Sequence, residues 1–214
     1  MTADRPRLLV TGFNAFPGAP VNPTEALVAD LLEHRAAIGT RCHMHAEVLE
    51  VDYRALPSRL ATIADGFRPD IAIHFGLSAS ARGFRLERHA RNCVSLVTAD
   101  NAGHIPSVAT ICDGGEAHDS TLPLQAIHDR LAATGIPVEW SDSAGDYLCN
   151  YLFYHARGGL VEGYAPLMAG FIHVPPFPGE PARIESAPFA IDRATLLRGA
   201  QIVIDACLDA WSDF

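Results

Sequence analysis

Cys149 is the next-to-last residue of the stretch Ser141-Asp-Ser-Ala-Gly-Asp-Tyr-Leu-Cys-Asn150, between Pro137-Val-Glu-Trp140 and a segment where Tyr151, Leu152, His155 and Leu160 recur at roughly helical spacing. The pattern predicts strand, turn and helix, with the cysteine where the helix opens. Unpaired N–H groups and the positive end of the helix dipole favour thiolate there, and a free cysteine starts from a pKa of about 8.5. Taken alone, such a residue is more often an inert thiol buried beside a helix. Two other residues change that balance. A cysteine hydrolase needs a thiolate, a histidine to carry the proton and a third group to orient the imidazole. His173 stands late in the apolar run Pro166-Leu-Met-Ala-Gly-Phe-Ile-His-Val174, and Glu87 sits in Arg85-Leu-Glu-Arg-His-Ala-Arg-Asn92. Each has a plainer reading, as a satisfied core or rim histidine and as one member of a solvated charge cluster. All three fall at or just beyond the ends of predicted strands of one sheet. Sequence order does not establish their proximity, and spacing leaves other pairings open.

The elements that must position them follow in chain order. Arg7 to Phe13 is a buried opening strand, followed by a loop carrying Phe13, Phe16, Pro17 and Gly18. The two aromatics either plug the end of the core or wall an apolar pocket at the carboxyl end of a strand. Asn22-Pro-Thr-Glu25 resembles a capping box with proline at the first helical position, opening a helix to about Arg35. His45 to Tyr53 suits a strand, Leu56 to Ala64 a helix, and Asp70 to Gly76 a buried strand ending in glycine. This βαβαβ order implies an α/β fold with a largely parallel sheet. Asn101 to Gly115 reads as an irregular excursion and a candidate active-site cover. Thr121 to Leu124 opens a helix that Gly135 stops, and Asp192 caps a terminal helix whose Leu196, Leu197, Ala200, Val203, Ile204 and Cys207 face the sheet.

Length and composition narrow the function classes. A chain of 214 residues with no sharp compositional shift predicts a single domain, 1–214. Apolar runs fall short of a bilayer span and the Met1-Thr-Ala-Asp-Arg5 start lacks a signal-peptide pattern, so a soluble, cytoplasmic protein is expected. Five cysteines, with no CxxC pair, suggest reduced thiols, neither a disulfide framework nor a zinc ribbon. The net charge of -9, with scattered arginines, offers no stripe for a phosphate backbone, so nucleic acid is not an expected partner. Cys42, His43 and His45 invite a metal reading, but no closed tetrahedral ligand set surrounds them. Nothing supplies a three-ligand catalytic zinc set or a glycine-rich phosphate loop.

Four stretches resemble the pyroglutamyl peptidase I family of cysteine exopeptidases almost end to end. Leu9-Val-Thr-Gly-Phe-Asn-Ala-Phe16, followed by Asn22-Pro23, is similar to the LVTGF-x-x-F loop, and Leu86-Glu-Arg88 to the segment holding the catalytic glutamate. Ser143 to Asn150 resembles the SAG-x-x-x-CN nucleophile motif and Gly170-Phe-Ile-His-Val-Pro175 the GFIHVP histidine motif, matching at every fixed position. The resemblance implies a three-layer α/β/α sandwich with a mixed, largely parallel sheet. It implies a Cys149, His173, Glu87 triad that removes an amino-terminal pyroglutamyl residue from a small blocked peptide, with no metal or organic cofactor. Homo-oligomers, frequently tetramers, are implied as well. Departures fall on substrate selection. Gly76-Leu-Ser-Ala-Ser-Ala-Arg82 replaces GQAGGR, putting Leu77 where a polar glutamine stands. Tyr147-Leu148 replaces Phe-Val, Pro17-Gly18 a double glycine, and Asn101 to Pro106, with Ile105, is the counterpart of the DDARIPDN run. The expected substrate-binding set is Phe13, Phe16, Leu77, Tyr147, Leu148 and Ile105. The departures predict weakened or altered pyroglutamyl cleavage by an intact catalytic machine. A different class, a non-enzymatic small-molecule binder or structural paralogue that keeps the triad, is the alternative.

Overall fold

The computed structural model describes residues 5–179 and 189–212, and among these an α/β/α sandwich is built on a six-stranded sheet. In chain order the elements are β1 (Arg7–Phe13), α1 (Pro23–Glu33), α2 (Arg35–Ile38), β2 (His43–Leu49), α3 (Ala55–Gly66), β3 (Ile71–Leu77) and β4 (Phe84–Glu87). There follow β5 (His89–Ala90), β6 (His118–Asp119), α4 (Leu124–Ala133), β7 (Val138–Ser141), α5 (Leu148–Gly158), β8 (Met168–Val174) and α6 (Arg193–Trp211). The sheet order is β2-β1-β3-β8-β4-β7. β1, β2, β3 and β8 run parallel, whereas β4 pairs antiparallel with β8 and carries β7 with it. β5 and β6 form a separate two-stranded ribbon.

Two cores flank the sheet, as the alternation of side chains along a strand requires. Leu8 and Val10 of β1 pack with α1, α4 and α6 on one face, while Leu9 packs with α3 and α5 on the other. The second face is the one that matters for chemistry. It carries Phe171 and His173 of β8, two residues apart, and their antiparallel partners on β4, Glu87 and Arg85.

Several local expectations are corrected. The second strand is His43–Leu49, not His45 to Tyr53. Asp52 Oδ1 accepts the N–H groups of Arg54 and Ala55, and Tyr53 N–H goes to Asp100 Oδ2, so local side-chain bonds take the chain out of the sheet. Helix α5 ends at Gly158 and is capped by Gly159, which adopts φ 65, so Leu160 lies beyond it. The reciprocal capping box does not form: Asn22 caps α1 through Oδ1, accepting from Thr24 N–H and Thr24 Oγ1, and Glu25 is exposed. Asp192 caps α6, accepting from Thr195 N–H.

Candidate active site

The carboxyl ends of β1, β3 and β8 and the amino end of α5 meet around a cavity of about 310 Å³. Phe13, Phe16, Leu77, Tyr147, Leu148, Cys149 and His173 line it, with Asn22, Val51, Ser78, Ser80, Arg85 and residues 143–146. A larger hollow of about 460 Å³ lies between β2 and α3, where Glu47 and Arg59 pair with each other and neither a cysteine nor a histidine lines the wall. Chemistry therefore belongs to the smaller one.

His173 is the penultimate residue of β8, and its Nδ1 lies 2.7 Å from Glu87 Oε1. The antiparallel register explains the approach: Glu87 is opposite Phe171, one pleat deeper into the sheet than His173, so its carboxylate reaches the ring from beneath. Glu87 is 0% exposed and His173 6%, which removes Glu87 from the solvated charge cluster its neighbours suggest. With Nδ1 engaged, Nε2 is left to face the cavity. Cys149 is the second residue of α5, and its sulfur lies against Gly76 of β3, the register partner of His173. A Cβ at Gly76 would stand 2.9 Å from Cys149 Sγ and 2.7 Å from the Phe171 ring, so this glycine is what lets the thiol reach the imidazole. Burial disfavours the charged ring of His173, but the Cys149 and Glu87 charges and hydrogen bonds outweigh it and raise its pKa from 6.5 to about 9.

Tyr147, the residue before α5, places its ring 6.1 Å from that of Phe16 and 5.9 Å from that of Tyr53, closing an aromatic wall. Its hydroxyl donates to Ala99 O at 2.8 Å, which fixes the ring in that wall. Ile105 lies outside the cavity lining. It is exposed, and no residue of 101–115 lines the cavity. The excursion is irregular as expected, but it is tied down beside the site: Asn101 Nδ2 donates to Ala15 O, and Asp100 accepts from Tyr53, Ala102 and His104. Cys42, His43 and His45 do not converge. Cys42 is buried, His45 Nε2 meets Glu47, and among the described residues no group of three ligand types is placed to hold a metal.

Other contributors went unread in the sequence. Asn150 is fully buried, accepts from Arg91 N–H and donates to the carbonyls of Arg91 and Cys93, pinning the segment after β5 to the nucleophile helix. Its place directly after the cysteine was visible, but its partners are distant in sequence. Ser78, Ser80 and Arg85 were equally unremarked.

Chemistry of this kind, thiol attack with a proton handed through a carboxylate-oriented imidazole, is that of the cysteine-type hydrolases, here carried at strand ends where open α/β sheets place ligands. Comparison with known proteins makes the class specific. The Pyroglutamyl peptidase family model matches residues 6–210, and the chain belongs to this family of cysteine-type exopeptidases. The pyrrolidone-carboxylate peptidase of Pyrococcus furiosus is 38% identical over 174 residues, 80% of this chain and 82% of that protein. A crystal structure of the pyrrolidone carboxyl peptidase from the same organism superposes with a TM-score of 0.83 at 32% identity, covering 95% of this chain and 99% of that one. Pyroglutamyl peptidase I of Bacillus amyloliquefaciens gives 0.85 at 25% identity, covering 96% and 98%.

Proposed function

We propose that this chain removes the amino-terminal pyroglutamyl residue from peptides through Cys149, His173 and Glu87. The observation that carries the reading is the 2.7 Å Nδ1–Oε1 bond between two buried residues beside a cysteine at a helix start. Cys149 thiolate attacks the lactam-bearing carbonyl carbon, and the oxyanion is received by N–H groups of the first turn of α5, which have no intrahelical carbonyl partner. The His173 imidazolium gives its Nε2 proton to the departing amine, so the C–N bond breaks as the thioester forms. Water then attacks the thioester with His173 as base, releasing pyroglutamic acid and restoring the thiol. Glu87 keeps the Nδ1 proton in place through both steps and stabilises the charged ring.

Phe13, Phe16 and Tyr147 give the small neutral ring its apolar walls, and Leu77 extends them. Nothing in these steps calls for a metal or organic cofactor, so hydrolysis should persist in chelator and depend on reductant. Among the described residues no helix is long and apolar enough to cross a membrane, and the cytoplasm suits an obligatory thiol. A homo-oligomer, with the tetramer as the expected form, is supported by exposed Leu96, Val97, Ile105 and Val108, all on the excursion after β5. Steady-state hydrolysis of a pyroglutamyl amide by wild type, Cys149→Ala and His173→Ala tests the reading. Both variants should be inactive, and retention of full activity by either would refute the assignment.

A further inference from the structure

We propose that Arg85, with Ser78 and Ser80, forms a subsite that binds a carboxylate on the leaving side of the substrate, favouring pyroglutamyl peptides whose second residue carries that charge. The inference rests on the peptidase reading of the same cavity. Arg85 stands directly opposite His173 in the β4–β8 register, which puts the two Cβ atoms about 5 Å apart on one face of the sheet. Both side chains, and both serines, line the cavity that holds Cys149.

The guanidinium is held in place. Its Nε donates to Glu139 Oε1 at 2.6 Å, and Nη2 donates to Ser80 O at 2.7 Å. Nη1 donates to Ser78 Oγ at 3.1 Å and to Ser80 Oγ at 3.0 Å, while the two hydroxyls lie 3.3 Å from each other. A hydroxyl that accepts from a cation has its own proton left to give. One of the two serine protons serves the contact between them, so the other is available to an incoming acceptor and is polarised by the cation behind it. The side chain of Arg85 is only 20% exposed, which strengthens its field in the cavity relative to a solvated arginine. Glu139 offsets part of the charge from the far, Nε side of the fork. Asp146 also lines the cavity, but on the loop that leads into α5.

The reach is right for a leaving-group carboxylate. In a pyroglutamyl dipeptide the α-carboxylate carbon lies two single bonds, about 3 Å of chain, beyond the scissile nitrogen. That nitrogen must come within hydrogen-bond distance of the His173 ring to collect its proton. An anion so placed lies in the cavity whose wall Arg85, Ser78 and Ser80 form beside His173. An apolar or amidated leaving group meets the same wall with no charge to match it.

The test is a ratio of kcat/KM values, which is internal to each protein preparation and so cancels any loss of folded enzyme. Pyroglutamyl-alanine, pyroglutamyl-alanine amide and pyroglutamyl-glutamate amide are compared on wild type, Arg85→Gln and Arg85→Lys. Wild type should prefer a carboxylate-bearing substrate over pyroglutamyl-alanine amide by about tenfold to a hundredfold, the range of a charge-assisted hydrogen bond. Preference for the dipeptide identifies the α-carboxylate as the group bound, and preference for the glutamate amide identifies a side-chain carboxylate. Arg85→Gln should bring the ratio close to one, and Arg85→Lys, which keeps the charge but not the fork, should leave it in between. Equal wild-type rates on all three substrates overturn the subsite and leave the peptidase reading standing. So does an unchanged ratio in Arg85→Gln, which would make Arg85 only a clamp for the loop after β3. Hydrolysis of none of the three by wild type overturns the peptidase reading, and the subsite with it.

Discussion

His173 owes its role to two neighbours that pull in the same direction against burial. Its pKa of about 9, above the ordinary 6.5, means that the imidazolium contributes stability that is complete below about pH 6.5 and lost as pH rises through about 9. In the proposed mechanism the same proton is the one given to the leaving amine. A kcat/KM profile should therefore fall on its alkaline side near pH 9, and an alkaline limb below pH 7 would contradict the charged pair. Glu87→Gln keeps an acceptor for Nδ1 but removes the charge, so the limb should move to lower pH and the rate should drop by about 10²–10⁴-fold. Thiol chemistry offers a second reading of the same site. Burial pushes Cys42 up to about 11 and Cys207 up to about 12, and raises Cys93. Limiting iodoacetamide, followed by peptide mass spectrometry, should mark Cys149 well before Cys42, Cys93 and Cys207. A uniformly slow pattern would instead favour a binding protein without an activated thiol.

Elements fix the spacing of these residues, and the constraint nearest the cysteine sulfur is at β3. Gly76→Ala would set a methyl group 2.9 Å from the nucleophilic sulfur and 2.7 Å from the Phe171 ring, so either the helix start or the ring must move. We expect kcat/KM to fall by about a hundredfold or more, the scale of a 1 Å misplacement, with a far smaller change in unfolding midpoint. Equal losses of activity and stability would argue against a positional role. Asn150→Ala strips partners from one part-buried N–H and two carbonyls, and should cost about 1–3 kcal/mol in urea unfolding. Much of this framework was legible from the chain. The apolar runs of β1, β3 and β8 and the periodic helices declare themselves through local pattern, as does the cysteine at the start of α5. What stayed hidden was set by pairing between distant segments. Glu87 is surrounded by arginines in sequence, and only the antiparallel insertion of β4 beside β8 turns it inward. The reversal of β4 and β7 has no local signature. The bond from Tyr147 to Ala99 O and the place of Ile105 outside the cavity lining were hidden for the same reason, since the course of the excursion decides both.

For the whole molecule, the sandwich delivers three strand ends and one helix start to a single cavity, and the altered loop after β3 lies on its wall. The proposed catalytic groups sit on β4, β8 and α5, elements packed in the core, whereas Leu77, Ser78 and Ser80 sit at or beyond a strand end where substitutions cost the fold little. Selectivity can thus drift while the reaction is kept. The measurement that bears most directly on the central claim is kcat/KM for a pyroglutamyl amide beside a panel of other amino-terminal acyl and lactam amides, on wild type and Cys149→Ala. The pyroglutamyl amide should be cleaved by wild type in preference to the rest, and the variant should lose about 10³-fold or more. Undiminished hydrolysis by Cys149→Ala, or a wild-type enzyme that cleaves other members of the panel and leaves the pyroglutamyl amide intact, would contradict it.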